Sequence, residues 1–163
     1  MKRFTVQRCK AAIVLASILI AAGAACAQAP AGATRPKILV AAEKTEFKDA
    51  VMVKIKEGLT KKAYEFEVID VKDLPAQKAG DYRAVVILNT VMAWRPRYGA
   101  RKFLDDLPAD QRAKVVMVNT TKDPHWKTKE EGVHAITSAS LPGKINEVTE
   151  FVLQQVETLV KAP

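Results

Sequence analysis

The chain has 163 residues, 48% apolar and 27% charged, with 26 Lys and Arg against 18 Asp and Glu for a formal net charge of +8. That apolar share supports one packed core and excludes a disordered tail, and two cysteines are too few for a disulfide-dense mini-protein. A second full domain does not fit in this length.

Residues 1 to 10 hold Lys2, Arg3, Arg8 and Lys10 and no acid, Ala11 to Ala22 is an unbroken run of apolar or small residues, and Gly23 to Ala27 are all small. This is the order of a charged n-region, an h-region and a cleavage site, so residues 1–27 are predicted to be an export signal cut after Ala27, with a periplasmic or secreted destination. Two alternatives stay open. An uncleaved anchor would need roughly 20 apolar residues to cross a bilayer, and the run is shorter. A lipoprotein would be acylated at Cys26, although Gly23 stands where a large aliphatic residue is usual, and only this route gives the chain a membrane partner. Without residues 1–27 no cysteine remains, and 22 basic residues face 18 acidic ones, for +4. Half of the basicity is therefore targeting. Thiolate chemistry and Cys-based metal binding drop out, no metal site is expected, and charge spread over helix faces offers nucleic acid no basic patch.

Pro30 to Pro36 is small and Pro-rich with one charge, so residues 28–35 suit a flexible tether before a domain over residues 36–163. There Lys37 to Ala42, Ala84 to Leu88 and Val115 to Val118 are continuous apolar runs, the pattern of parallel strands covered on both faces. Tyr64 to Val71 alternates, with Glu65 and Glu67 on one side, and Val133 to Thr137 is weaker, so both read as edge strands.

Helical stripes lie between these strands. Phe47, Val51, Ile55 and Leu59 recur every fourth residue, with Lys48, Lys54, Lys56 and Glu57 off the stripe, predicting a helix over 46–62. A second is predicted from about Arg97 to Leu107, stopped by Pro108. A third carries Ile145, Val148, Val152, Val156 and Leu159, with Ser140 as its N-cap and Pro142 in its first turn. Asp73 to Asp81 has room for a short helix at most, and Thr121 to Gly132 reads as a loop or single turn.

Five strands in βα alternation, three central and two at the edges, predict an α/β fold with a doubly wound, five-stranded parallel sheet of order 2-1-3-4-5. Over residues 36 to 162 the pattern resembles the flavodoxin-like fold family. The resemblance rests on element order, on Asp70 to Asn89, which is similar to the family's second strand, short helix and third strand, and on Phe103 to Asn119, similar to its third helix and fourth strand. It implies FMN as cofactor and electron transfer as activity. The chain departs from the family after the first strand: where a Ser/Thr- and Gly-rich phosphate loop is the rule, it has Ala41-Ala42-Glu43-Lys44-Thr45-Glu46 without glycine. Glu43 and Glu46 would meet a phosphate with like charge.

Open α/β sheets bind ligands outside the carboxyl ends of their strands, where strand order reverses. Those ends offer Thr45, then Asn89, Thr90, Trp94, Arg95 and Arg97, then Asn119, Thr120, Lys122 and Trp126 as the candidate cofactor-binding set. By position the two tryptophans match the family's flavin-flanking loops, and Arg95, Arg97, Lys122 and Lys127 supply positive charge that the first loop lacks. Each has an ordinary structural reading beside it. An indole packs over a sheet edge with its N–H on a carbonyl, and an Asn closes a strand-to-loop turn. His125 is the one acid or base candidate in the region, against a solvated loop histidine. His134 to Ser140 is similar to the D-A-x-S-G-A-T stretch of exported domains that attach flavin through a threonine phosphoester, which would make Ser140 the acceptor, the alternative being a strand end running into a helix cap.

No nucleophile elbow, P-loop, H-E-x-x-H or haem-attachment motif occurs, and the pairs Asp105-Asp106 and Glu130-Glu131 read as solvated surface. Three functions from different classes remain. The first is an exported domain binding FMN or another planar anionic ligand on Trp94 and Trp126. The second is a non-catalytic exported binding or accessory module that has lost the cofactor and meets a periplasmic protein partner. The third is a small hydrolase or transferase using His125.

Overall fold

The computed structural model describes residues 35–162 apart from 124, 128 and 129. The predicted signal, Cys26 and all but the last residue of the tether lie outside them.

Among the described residues six strands form one sheet: β1 (Lys37–Ala42), β2 (Glu65–Asp70), β3 (Ala84–Met92), β4 (Arg95–Pro96), β5 (Val115–Thr120) and β6 (His134–Ser138). Five are parallel in the order β2-β1-β3-β5-β6, and the two-residue β4 pairs antiparallel with the end of β3. This is the predicted 2-1-3-4-5 order with one short strand added, and β2 and β6 are the edges. Register runs straight across the centre, with Val40 opposite Val86, Val86 opposite Val116, and Asn89 opposite Asn119.

The central strands are apolar throughout because successive side chains leave the sheet on opposite faces and both faces are covered. Ile38, Val40, Val86, Leu88, Val116 and Val118 pack under α1 (Glu46–Lys61) and α4 (Ile145–Lys161), which deliver the predicted stripes Phe47, Val51, Ile55, Leu59 and Val148, Val152, Val156. Leu39, Ala41, Val85, Ile87, Val115 and Met117 face the other way, onto Val71 and Leu74 of a 3₁₀ segment (Val71–Ala76) and onto Phe103 and Leu104 of α2 (Tyr98–Asp106). After Pro108 a single turn, α3 (Ala109–Arg112), leads into β5.

Three expectations are corrected. Ser140 does not cap the last helix: a 3₁₀ turn at Pro142–Lys144 comes first and α4 starts at Ile145, beyond the reach of its hydroxyl. Lys48, off the apolar stripe of α1, is 2% exposed. The third strand runs four residues past its apolar core to Met92 and turns back as a hairpin, because β4 supplies backbone partners for its protruding end.

Candidate functional site

The hairpin between β3 and β4 stands at the carboxyl edge of the sheet. Met92 pairs with Arg95, so Ala93 and Trp94 alone make the turn, and both hold positive φ, 49° and 63°. Two positive values are the signature of a type I′ turn, which matches strand twist but is normally built from Asn and Gly. An L-residue with a side chain held there costs on the order of 1 kcal/mol. The strain presents Trp94 to solvent, 70% exposed, with Met92 also exposed beside it. Trp126 braces the turn from behind: it is 9% exposed and its Nε1 donates to the Trp94 carbonyl at 3.3 Å. Ala93→Gly is therefore expected to stabilise the protein by about 1 kcal/mol, read as a higher urea midpoint at constant slope.

Beside this hairpin lies a cleft of about 850 Å³, walled by Thr90, Met92 and Trp94 on one side, Thr120 to Asp123 at the base, and Ala139, Ser140 and Leu141 opposite. Exposed Met92, Trp94 and Leu141 give it an apolar rim, and the lining residue Lys122 is exposed. Below it the two asparagines are fully buried. Asn89 Nδ2 donates to Asn119 Oδ1 at 2.9 Å, and Asn89 Oδ1 accepts from the Arg97 backbone N–H at 3.0 Å. Asn119 Nδ2 is left as a buried donor without a partner among the described residues. The Thr120 hydroxyl donates to the Asn89 carbonyl at 3.1 Å. These contacts lock the ends of β3 and β5 and fix where the hairpin leaves the sheet.

A second constellation adjoins the cleft at Thr90. Glu43, in the β1–α1 turn, accepts from Lys48 Nζ at 2.8 Å and from the Thr90 hydroxyl at 2.6 Å through Oε2, and from Arg97 Nε at 2.8 Å through Oε1. Lys48 Nζ also donates to the Thr90 hydroxyl. Burial pushes the Glu43 carboxyl up, but the hydrogen bonds from Lys48 and Thr90 and the charges of Lys48 and Arg97 outweigh it and hold the group below the ordinary range. Burial also depresses the Lys48 ammonium, against the opposing pull of Glu43. Thr45 caps α1, its hydroxyl accepting from the Lys48 backbone N–H at 3.3 Å.

The expected binding set thus separates into five groups. Thr90, Trp94, Thr120 and Lys122 line the cleft. Asn89 and Asn119 lie buried beneath it, Thr45 serves α1, and Arg97 is committed to Glu43. Arg95 and Trp126 flank a second hollow of about 320 Å³, which Trp94 also lines, whereas Trp126 is absent from the lining of the larger cleft. His125 is exposed, its backbone N–H bonded to Asp123 Oδ1 at 2.8 Å, and Ser140 is an exposed lining residue. Sequence reasoning did not single out Lys48 or Leu141. The signal for Lys48 is its place one residue after Phe47 on the stripe, with an acid five residues back in a loop otherwise poor in anion ligands. Among the described residues no group of three or more His, Cys, Asp or Glu is placed to hold a metal ion.

An FMN phosphate does not fit the β1–α1 turn. Lys48, Thr90 and Arg97 already converge on Glu43, the Lys48 N–H is taken by Thr45, and Glu46 and Asp49 add negative charge to the first turn of α1. The cleft, by contrast, has the size and apolar rim that a planar ring needs.

No family model matches the sequence and no curated protein is significantly similar to it. Solved structures are similar in fold. An archaeal flavodoxin superposes at a TM-score of 0.53 with 13% identity, covering 76% of this chain and 99% of its own. The two-electron reduced flavodoxin of Megasphaera elsdenii gives 0.53 and 14%, covering 74% and 98%, and an NADH:FMN oxidoreductase in its apo form gives 0.55 and 11%, covering 78% and 92%. Strand order, helix placement and these likenesses agree: residues 35–162 adopt the flavodoxin-like α/β fold.

Proposed function

We propose that the chain is a ligand-binding domain on a flavodoxin-like fold that takes a planar ring, a flavin ring being the family's own precedent, in the cleft between the β3–β4 hairpin, the loop after β5 and the β6–α4 segment. The observation that carries the reading is Trp94, held 70% exposed by a strained turn at the rim of an 850 Å³ cleft. Backbone strain is retained where the surroundings enforce it, and an exposed indole on such a turn is a stacking surface. A bound flavin would supply the redox chemistry itself, and the chain would supply stacking from Trp94 and charge from Lys122. The export expected of residues 1–27 belongs to the same proposal, the ligand or partner then being met outside the cytoplasm.

The test is a titration of riboflavin and of FMN, followed by flavin fluorescence. Saturable quenching that weakens at least tenfold in Trp94→Ala supports the reading. A protein that leaves both flavins unquenched would overturn it. That result would favour the second reading, an accessory module on the same fold, which the occupied anion position at Glu43 supports on its own terms.

A further inference from the structure

We infer that Glu43 is a built-in anion filling a cradle made by Lys48, Arg97 and Thr90, and that the adjoining cleft therefore selects a planar ligand without a phosphate monoester over its phosphorylated counterpart. The selectivity rests on the cleft reading above; the filled cradle does not.

Lys48 is a charged side chain at 2% exposure, and a buried ammonium without an anion is strongly unfavourable. Something negative has to sit beside it. The chain provides that group from its own β1–α1 turn, five residues away, and orients it from three directions: Lys48 and the Thr90 hydroxyl on Oε2, Arg97 on Oε1. Two cations and a hydroxyl converging on one small anion is the donor set that a phosphate would use. Thr90 joins the two places, since its hydroxyl is committed to Glu43 while the residue lines the cleft. A phosphate entering from the cleft would meet a spent hydroxyl with a carboxylate behind it. Glu46 and Asp49 add further negative charge in the first turn of α1. A neutral ring tail meets no such repulsion.

Two measurements on protein purified after expression of the full chain test this. In the first, melting temperature is compared in inorganic phosphate and in chloride at equal ionic strength. Wild type is expected to show no difference, Glu43→Ala to rise by several degrees in phosphate, and Glu43→Ala with Lys48→Met to lose that rise. A variant unfolded in chloride that folds in phosphate also supports the inference. Glu43→Ser, which also empties the cradle while keeping a polar side chain in the turn, carries the same test. Variants unresponsive to phosphate, or a wild type that responds equally, overturn it. In the second, riboflavin is expected to bind wild type at least tenfold tighter than FMN, with the preference lost or reversed in Glu43→Ala. FMN binding wild type as tightly as riboflavin overturns the selectivity. Absence of both flavins from wild type sinks the cleft reading instead, while the phosphate measurement still decides whether Glu43 fills an anion cradle.

Discussion

Lys48→Met is expected to lower the stability of the domain by about 2–3 kcal/mol, and addition of Glu43→Gln to recover most of that loss. Methionine replaces the aliphatic stem of the lysine at similar length, so packing changes little and the loss comes from charge. Glu43, with a side chain 16% exposed, would keep Arg97 and Thr90 but lose its best-buried partner. Breaking a fully buried pair typically costs about 3–5 kcal/mol, and the remaining contacts place this case below that range. Removing both charges leaves neither uncompensated, so the double variant should unfold within about 1 kcal/mol of wild type, a coupling that a double-mutant cycle in urea reads directly. A single variant within about 0.5 kcal/mol of wild type would mean that the cluster is solvated. The same cluster gives an acid dependence with a definite sign. The folded-state pKa of Glu43 lies below the ordinary 4.5. Its stabilisation is thus fully present above that value and is lost as pH falls through the depressed one. Glu157, held at about 2 by hydrogen bonds from Lys161 and Lys62, acts in the same direction over the same acid window. Its exposure to solvent makes the contribution sensitive to salt.

Gly99→Ala is the second substitution of large expected effect, a loss of about 3 kcal/mol. Helix propensity by itself predicts a gain of up to about 1 kcal/mol, since Gly99 lies in the first turn of α2. Packing reverses the sign. A Cβ at this position would stand 2.2 Å from the carbonyl oxygen of Val71 and 3.1 Å from the Cα of Lys72. Both belong to the backbone of the 3₁₀ segment under α2, where no side chain can swing aside, and overpacking of this kind costs about 1–3 kcal/mol or more. A thermal melt of the variant reads the loss. Because the Arg97 N–H bonded to Asn89 lies two residues before Gly99, the displaced helix should also weaken ligand binding in the cleft. Gly58 makes the contrast: its added Cβ would meet only the end of the Leu153 side chain, and Gly58→Ala should cost far less.

The legibility of the sheet in the sequence has a simple cause. A strand covered on both faces must be apolar at every position, and Ile38 to Ala41, Ala84 to Leu88 and Val115 to Val118 are. The stripes of α1 and α4 were equally readable, because a helix lying on one sheet face repeats its contact every three to four residues. Trp94 and Trp126 both lie at the carboxyl edge of the sheet, as their positions in the chain implied, yet they differ in exposure. One is displayed and the other is a brace whose indole N–H finds a carbonyl across the hairpin. Nothing local to either residue distinguishes them, since the difference arises from a two-residue turn made of Ala93 and Trp94, where the usual Asn-Gly signal is missing.

Lys48 is the sharpest case of the same limit. Periodicity averages over a helix and treats a lysine off the stripe as solvated. Its burial depends on Glu43, Thr90 and Arg97 arriving from the ends of two strands and the start of α2. By itself the sequence determined which segments are the parallel strands and the long helices, their order in the sheet, and which loops meet at its carboxyl edge, because these follow from periodicity and chain connectivity. Only the tertiary structure decided which charged and aromatic side chains at that edge face a cleft, which are spent on one another, and that the anion position after β1 is filled from within. Those outcomes depend on distances between residues as far apart in the chain as Glu43 and Arg97, and on the burial that turns a surface ion pair into a fixed one.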